Sequence, residues 1–441
     1  MNSIEFSKIK SQSNEAGTEM YKLMIELYPI CRSITGDGVR KTLEIIGNHI
    51  PIKKHEIPTG TQVFDWNIPK EWNINDAYVI DPDGNKIIDF KKSNLHVLNY
   101  SIPINKKISL EELKMHLHTL PEQPEVIPYR TSYYEEDWGF CLTHNQFLKL
   151  KEGEYKVVID SSLKNGNLTY GEYYVKGEKE DEVLISCYVC HPSLCNDNLS
   201  GVVLATFLAK HLREIPLKYS YRFLFVPETI GSIAWLCMNE NNVSKIKHGL
   251  VATCLGDAGT STYKKSRQGN AEIDKACVSV LKNSGNDYKI LDFFPYGSDE
   301  RQFCSPAFDL PVGSLMRTVY GHFSQYHTSA DNLEFVQEKY LEDSFLKYAS
   351  VIYILENNGV YLNLNPKCEP QLGKRGLYKM IGGQKDNLDN HAMQWVLNLS
   401  DGKNSLLDIS NMADLEFSLI KKAADMLITH NLLKEVYVRR N

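Results

Sequence analysis

The chain has no apolar run approaching the length of a membrane span, and only 42% of its 441 residues are hydrophobic. Its opening stretch, MNSIEFSKIKSQSNEAG, has no apolar segment behind its charges. No export signal is therefore expected, and a cytoplasmic location follows. Internal repeats and low-complexity tracts are missing too, which leaves ordinary globular domains. Excess positive charge is absent: 49 Lys and Arg stand against 55 Asp and Glu, a net charge of −6 that argues against a chain-wide nucleic-acid surface. The ten cysteines do not read as a disulfide framework, because cytosolic redox poise keeps thiols reduced. Cys187, Cys190, Cys237 and Cys254 lie in apolar strings, where a free thiol behaves as a small hydrophobe.

What is present allows two or three domains and an ample core. Residues 17–49 read as mostly helical, with Met20, Leu23, Met24 and Leu27 at helical spacing. From about 60 the pattern turns to short alternating runs, 77–80 and 86–90, around the turn signal Asp81-Pro82-Asp83-Gly84. Residues 60–128 are therefore expected to form a small β-rich domain inserted into a larger one, built from 1–59 and 129–365. From 137 to 365 strands alternate with helices. The expected strands are 156–161, 171–175, 183–190, 219–226, 249–255 and 311–315, and the helices 202–212, 232–239, 274–284 and 338–357. That alternation predicts an α/β sheet covered by helices. Pro366 and Pro370 mark a boundary. Three short helical patterns and a strand candidate, 432–438, follow in 366–441, the composition of a winged helix.

The most informative stretch is Cys190-His191-Pro192-Ser193-Leu194-Cys195-Asn196-Asp197-Asn198-Leu199-Ser200-Gly201. It joins an apolar strand pattern to a helical one, so His191 and Asp197 flank a loop where open α/β sheets place ligand sites. Imidazole and carboxylate groups fixed at the ends of rigid elements are the donors a hydrolytic metal site needs. The apolar run 223–226 then ends at Pro227-Glu228-Thr229, and Glu228 stands where a general base would. The plainer alternative is a carboxylate complementing a helix dipole. Asp257 closes a third apolar run between Gly256 and Gly259, with an ordinary turn Asp as its alternative. A polar loop, Tyr296-Gly297-Ser298-Asp299-Glu300-Arg301-Gln302-Phe303, comes next. Last is Tyr326-His327-Thr328-Ser329-Ala330-Asp331, where Asp331 is placed to orient the His327 ring. No single segment persuades; five in this order do.

On these residues the sequence resembles the co-catalytic zinc aminopeptidases related to bacterial leucyl aminopeptidase. Its arrangement is most similar to bacterial aminopeptidase-like proteins with a small inserted domain and a C-terminal winged helix. The likeness covers about 137–357. It implies an α/β fold with a mixed sheet and helices on both faces. It also implies hydrolysis of an N-terminal residue or related amide on a peptide or small substrate, with His191, Asp197, Asp257 and His327 as metal ligands and Glu228 as base. Asp299 and Arg301 belong to the matching polar loop and Tyr326 to the final motif. Arg267 and Arg301 are candidates to grip a substrate anion with a planar guanidinium; a solvated basic loop is the alternative for each.

Two departures bear on the metal. Ser193 stands where such enzymes carry an Asp behind the first His, and Thr229 replaces the second carboxylate of a Glu-Glu pair. A hydroxyl is a poor zinc ligand. One zinc ion is therefore favoured over two, held by His191, Asp197 and Asp257, with His327 completing the sphere or holding a second ion. Alternatively Glu228 is itself a ligand and the base is missing. The rival functions are a catalytically inactive peptidase-fold protein that binds or regulates, and a winged-helix DNA-binding regulator. In 366–441 eleven Lys or Arg face nine Asp or Glu. Lys421-Lys422 and Arg439-Arg440 could meet phosphate, but the balance suits a protein partner or self-association at least as well. Two thiol motifs are decoys. Cys187-Tyr188-Val189-Cys190-His191 matches a haem-attachment string only formally. A thiolate zinc site from Cys187, Cys190, Cys195 and His191 is disfavoured, because residues three apart in a strand face opposite ways.

Overall fold

A computed structural model gives the fold and describes residues 1, 3–11, 13–377 and 388–436. Two compact units emerge. The larger comprises Ser11–Ala271 and Asp287–Leu346; the smaller comprises Met1–Lys10, Glu272–Asn286 and the chain from Lys347 onward.

An eight-stranded mixed sheet organises the larger unit. Its centre is a parallel quartet, in the order Ser220–Val226, Glu182–Tyr188, Ile246–Ala252, Val312–Met316. All seven residues of Glu182–Tyr188 are buried, as expected of a strand covered on both faces. Antiparallel strands extend the sheet through Asn167–Val175 to Lys53–Pro58 on one side. On the other side Ser261–Lys264 pairs antiparallel with Val312–Met316 and parallel with Tyr288–Leu291. From Glu182–Tyr188 the chain runs through helix Ser200–Leu212 to the strand on one side. It then returns through helix Ile230–Asn239 to the strand on the other side. The strand order thus reverses at the carboxyl end of Glu182–Tyr188, which is where crevices open in such sheets.

A second, four-stranded antiparallel sheet is built from Lys86–Asp89, Glu71–Ile80, Glu154–Lys164 and Ile104–Ser109. Strand Glu154–Lys164 was expected in the main sheet. Its burial instead alternates, with Tyr155, Val157 and Ile159 inward and their neighbours more exposed. A strand of period two has one wet face and cannot sit in a doubly covered centre. The β-rich region therefore reaches residue 164 rather than 128. One apolar core joins the two sheets, running from Trp72, Phe140 and Tyr155 to Leu184, Leu224 and Trp235. The turn expected at Asp81–Gly84 is present, with Gly84 at φ +87.

In the smaller unit a three-stranded antiparallel sheet, Asp401–Ser405, Val360–Asn363 and Leu433–Val436, accompanies helices Leu388–Leu399, Leu406–Ala413 and Phe417–Thr429. Because Val360–Asn363 is the middle strand, this unit starts before the expected boundary at 366. It also takes in helix Glu272–Lys282, whose Lys275 and Lys282 pair with Asp408 and Asp414 at 2.8 and 2.5 Å. Tyr437, Val438 and Arg439-Arg440 lie outside the described residues.

The second sheet is fastened to the first by one charged joint. Arg40, on helix Asp37–Gly47, donates both Nη atoms to Glu71, at 2.9 and 2.6 Å. Asn167 N–H, at the start of a main-sheet strand, donates to Glu71 Oε2 at 2.8 Å. The Arg40 bond, supported by the Asn167 N–H, holds the Glu71 carboxyl down to about 2. A carboxyl depressed on folding stabilises the protein above its unfolded value and loses that contribution as pH falls through the folded one. Glu71→Gln is expected to destabilise by about 2 kcal/mol at neutral pH. In urea titrations the gap from wild type should close between pH 4.5 and about 2. A gap that is independent of pH contradicts the assignment.

Candidate metal centre

Strand ends of the parallel quartet supply the polar groups. His191 and Asp197 follow Glu182–Tyr188, Glu228 follows Ser220–Val226, and His327 lies beyond Val312–Met316. His191, Asp197 and His327 bring one donor atom each within 4.8 Å of one another. His327 Nε2 lies 2.8 Å from Asp197 Oδ2. His191 Nδ1 lies 3.1 Å from the Asp197 main-chain oxygen, and with that nitrogen as donor its Nε2 keeps a free lone pair. Glu228 Oε2 sits 3.4 Å from His191 Nε2, on a half-buried side chain.

Asp197 is the centre of this cluster and is fully buried. Its Oδ1 accepts from the Tyr188 hydroxyl, which also meets Thr253 Oγ1 at 2.7 Å. Its Oδ2 stands 2.8 Å from His327 Nε2, an ion-pair contact in which neither atom has a well-aligned hydrogen bond. Buried polar atoms rarely lack one, and a carboxylate oxygen facing imidazole nitrogens is a donor set that fits a cation. Burial opposes the charge on Asp197, but His191 and His327 hold its carboxyl well below the usual range. Burial likewise opposes protonation of His191, and Asp197 outweighs it, raising the imidazole well above its ordinary value.

Two expected roles are corrected. Asp257 does not join the cluster: Oδ2 accepts from Asn196 Nδ2 at 2.9 Å and Thr318 N–H at 3.3 Å. Its Oδ1 accepts from Gly259 N–H at 2.7 Å and the Thr318 hydroxyl at 2.5 Å. A carboxylate with every acceptor direction engaged ties loops together and has no lone pair for a metal. Asp331 does not orient His327 either. Its oxygens accept from the backbone N–H groups of Asn196 and Asp197, at 2.6 and 2.9 Å, so it shapes the Asp197 turn. Burial pushes its carboxyl up to about 7 against those donors.

The polar loop supports Glu228 from behind. Asp299 Oδ1 accepts from Thr229 N–H at 2.7 Å, and Arg301 Nη2 donates to the Thr229 hydroxyl at 2.9 Å. Burial and the nearby Glu228 push the Asp299 carboxyl up to about 7. The Thr229 side chain is thereby engaged, and its backbone sits at φ +64, a genuine outlier for a β-branched residue. Ser193, Cys254 and His327 also have positive φ, a clustering typical of functional loops. Tyr326 stacks on His327 with centroids 3.9 Å apart. Arg267 pairs on the surface with Asp309 at 2.8 Å, the solvated alternative. Ser193 is spent on Tyr28 O and Asn94. Cys190, disfavoured above as a thiolate ligand alongside Cys187 and Cys195, forms a second possible donor group with His191 and Glu228. The sequence offered no signal for Tyr188 beyond its place three residues before His191.

The larger unit has an α/β fold shared with solved aminopeptidases, and the C-terminal part of the chain is a winged helix. The family model described as a domain of unknown function, DUF4910, matches residues 21–358, and the chain belongs to that family. A winged helix-turn-helix model matches 359–435. A relative from Clostridium acetobutylicum, named as a polysaccharide biosynthesis protein with an aminopeptidase-like domain, is 60% identical over 433 residues, covering 98% of this chain and 100% of its own. A crystal structure of a peptidase, so named, from the same organism is 58% identical with a TM-score of 0.95, covering 99% of this chain and 100% of that one. A zinc aminopeptidase from Bacillus subtilis shares the fold at 12% identity and a TM-score of 0.57, over 78% of this chain and 95% of that one.

Asp331→Ala leaves two buried N–H groups of the Asp197 turn unpaired. It is expected to cost on the order of 2–4 kcal/mol in chemical denaturation. A loss below about 0.5 kcal/mol, the scale of an ordinary surface substitution, contradicts the role given to Asp331.

Proposed function

We propose that this protein is a zinc-dependent amide hydrolase of the aminopeptidase type, working with one cation held by His191, Asp197 and His327. The observation that carries this reading is the buried contact of Asp197 Oδ2 with His327 Nε2, 2.8 Å apart without hydrogen-bond alignment, in one cluster with His191. When bound, zinc supplies Lewis acidity that acidifies water and polarises a scissile carbonyl. Glu228 takes the proton of the attacking water and delivers it to the leaving amine. Asp299 and Arg301 hold the turn that carries Glu228, which fixes the direction of its carboxylate. With Thr229 turned to Arg301 and Asp257 engaged by Thr318 and Asn196, a second cation lacks the carboxylates it would need.

The name carried by the Clostridium relative favours an amide borne on a sugar precursor over a free peptide. A second reading, a non-catalytic binding protein, is favoured by the Thr229 replacement. For the winged helix we propose a protein partner or a second copy rather than DNA. Its two adjacent lysines are engaged, Lys421 by Asp425 at 2.5 Å and Lys422 by Asp389 at 2.9 Å. No helix among the described residues is long and apolar enough to cross a membrane, and a cytoplasmic site of action fits the proposal.

The test is hydrolysis of a panel of aminoacyl amides and N-acyl amino sugars by zinc-loaded protein. Wild type should turn over at least one class. Glu228→Gln should lower kcat by about 100-fold or more with zinc content unchanged. Absence of turnover across both classes favours the binding protein, and an active Glu228→Gln variant removes Glu228 from the reaction.

A further inference from the structure

We infer that the β-rich insertion is the template of the cation site, and that Tyr129 is the positioning residue that sets the gap between His191 and His327. The inference rests on the reading that this cluster binds a cation. Segment 127–133 of the insertion runs alongside the His327 loop: Pro128 and Thr328 form an antiparallel bridge. Tyr129 N–H donates to the His327 carbonyl at 2.7 Å, and Ser329 N–H donates to Ile127 O at 2.8 Å. These bonds hold His327 at φ +54, a conformation a non-glycine residue adopts only where its surroundings enforce it.

The Tyr129 ring then meets both imidazoles edge to face. Its centroid is 5.3 Å from that of His191 and 5.2 Å from that of His327. The two imidazoles stand 5.2 Å apart at 80°. Two ligand rings that are steeply inclined, with a third ring lodged against both, can neither stack on each other nor drift apart. At its far end the Tyr129 hydroxyl meets that of Tyr133 at 2.9 Å, within the same segment. The insertion reaches His191 by a second route. Asn99 Nδ2 donates to Arg32 O at 3.0 Å, and the buried Arg32 donates from Nε to His191 O at 2.9 Å. Backbone carbonyls of both histidines are therefore tied to the insertion, that of His327 directly through Tyr129 and that of His191 through Arg32 and Asn99. The contact that matters is the volume and plane of the ring, not its hydroxyl.

The experiment uses full-length protein and cobalt(II) as the probe, with affinity measured by competition against a fluorescent chelator and geometry read from the visible spectrum. Tyr129→Phe keeps the ring and should bind cobalt within about 3-fold of wild type with an unchanged spectrum. Tyr129→Ala should bind about 10-fold or more weakly, the usual scale for groups that orient ligands, with an altered spectrum. Tyr129→Leu fills the space without a plane and serves if the alanine variant does not fold; it should show the same weakening. Wild-type affinity and spectrum in the alanine or leucine variant overturn the inference. So does a phenylalanine variant as weak as alanine, which would assign the effect to the hydroxyl. A wild type that holds no cobalt removes the cation reading and this inference with it.

Discussion

One buried carboxylate governs the candidate site. Asp197 is out of water, with one oxygen accepting from Tyr188 and the other 2.8 Å from His327 Nε2 and 3.5 Å from His191 Nδ1. A charge in that position is costly unless opposite charge is brought to it. Asp197 draws such charge to itself, raising the His191 imidazole against the opposition of burial. With a cation the same lone pairs become ligands. The surrounding architecture serves this one group. The reversal of strand order opens the crevice, Asp331 holds the two N–H groups of the turn, and Asn196 bridges from that turn to Asp257.

Much of this was legible in the chain because strand-end chemistry is local. His191 and Glu228 closely follow apolar runs and Asp197 shares the loop of His191, so their arrival at one rim follows from a parallel sheet. The resemblance supplied the order that linked His327 to them. What could not be read depends on partners distant in sequence. Asp257 looks like a ligand beside its glycines, and only Thr318 and Asn196, each 61 residues away, reveal that its oxygens are taken. Asp331 was read against its neighbour His327, while its true partners lie 134 and 135 residues earlier. Tyr129 carried no signal, since nothing local marks a tyrosine as the neighbour of two histidines in different motifs.

The fold was legible to a similar depth. Long apolar runs announced the central strands, whereas the short strands Lys53–Pro58, Ser261–Lys264 and Tyr288–Leu291 passed unnoticed. Strand Glu154–Lys164 was recognised as a strand but assigned to the wrong sheet, since its alternation was not weighed against the unbroken burial of the central strands. The departures at Ser193 and Thr229 were visible at once, and the structure gives them other partners: Ser193 bonds Tyr28 and Asn94, and Thr229 bonds Asp299 and Arg301. The protein keeps the fold shared with the zinc aminopeptidases, while Thr229 and Asp257 are engaged within the protein.

The most direct measurement of the central claim is anomalous diffraction at the zinc edge from a zinc-soaked crystal. The account predicts one strong peak about 2.0–2.2 Å from His191 Nε2, Asp197 Oδ2 and His327 Nε2. A map empty at Asp197, or a peak bound instead through Asp257, would contradict it.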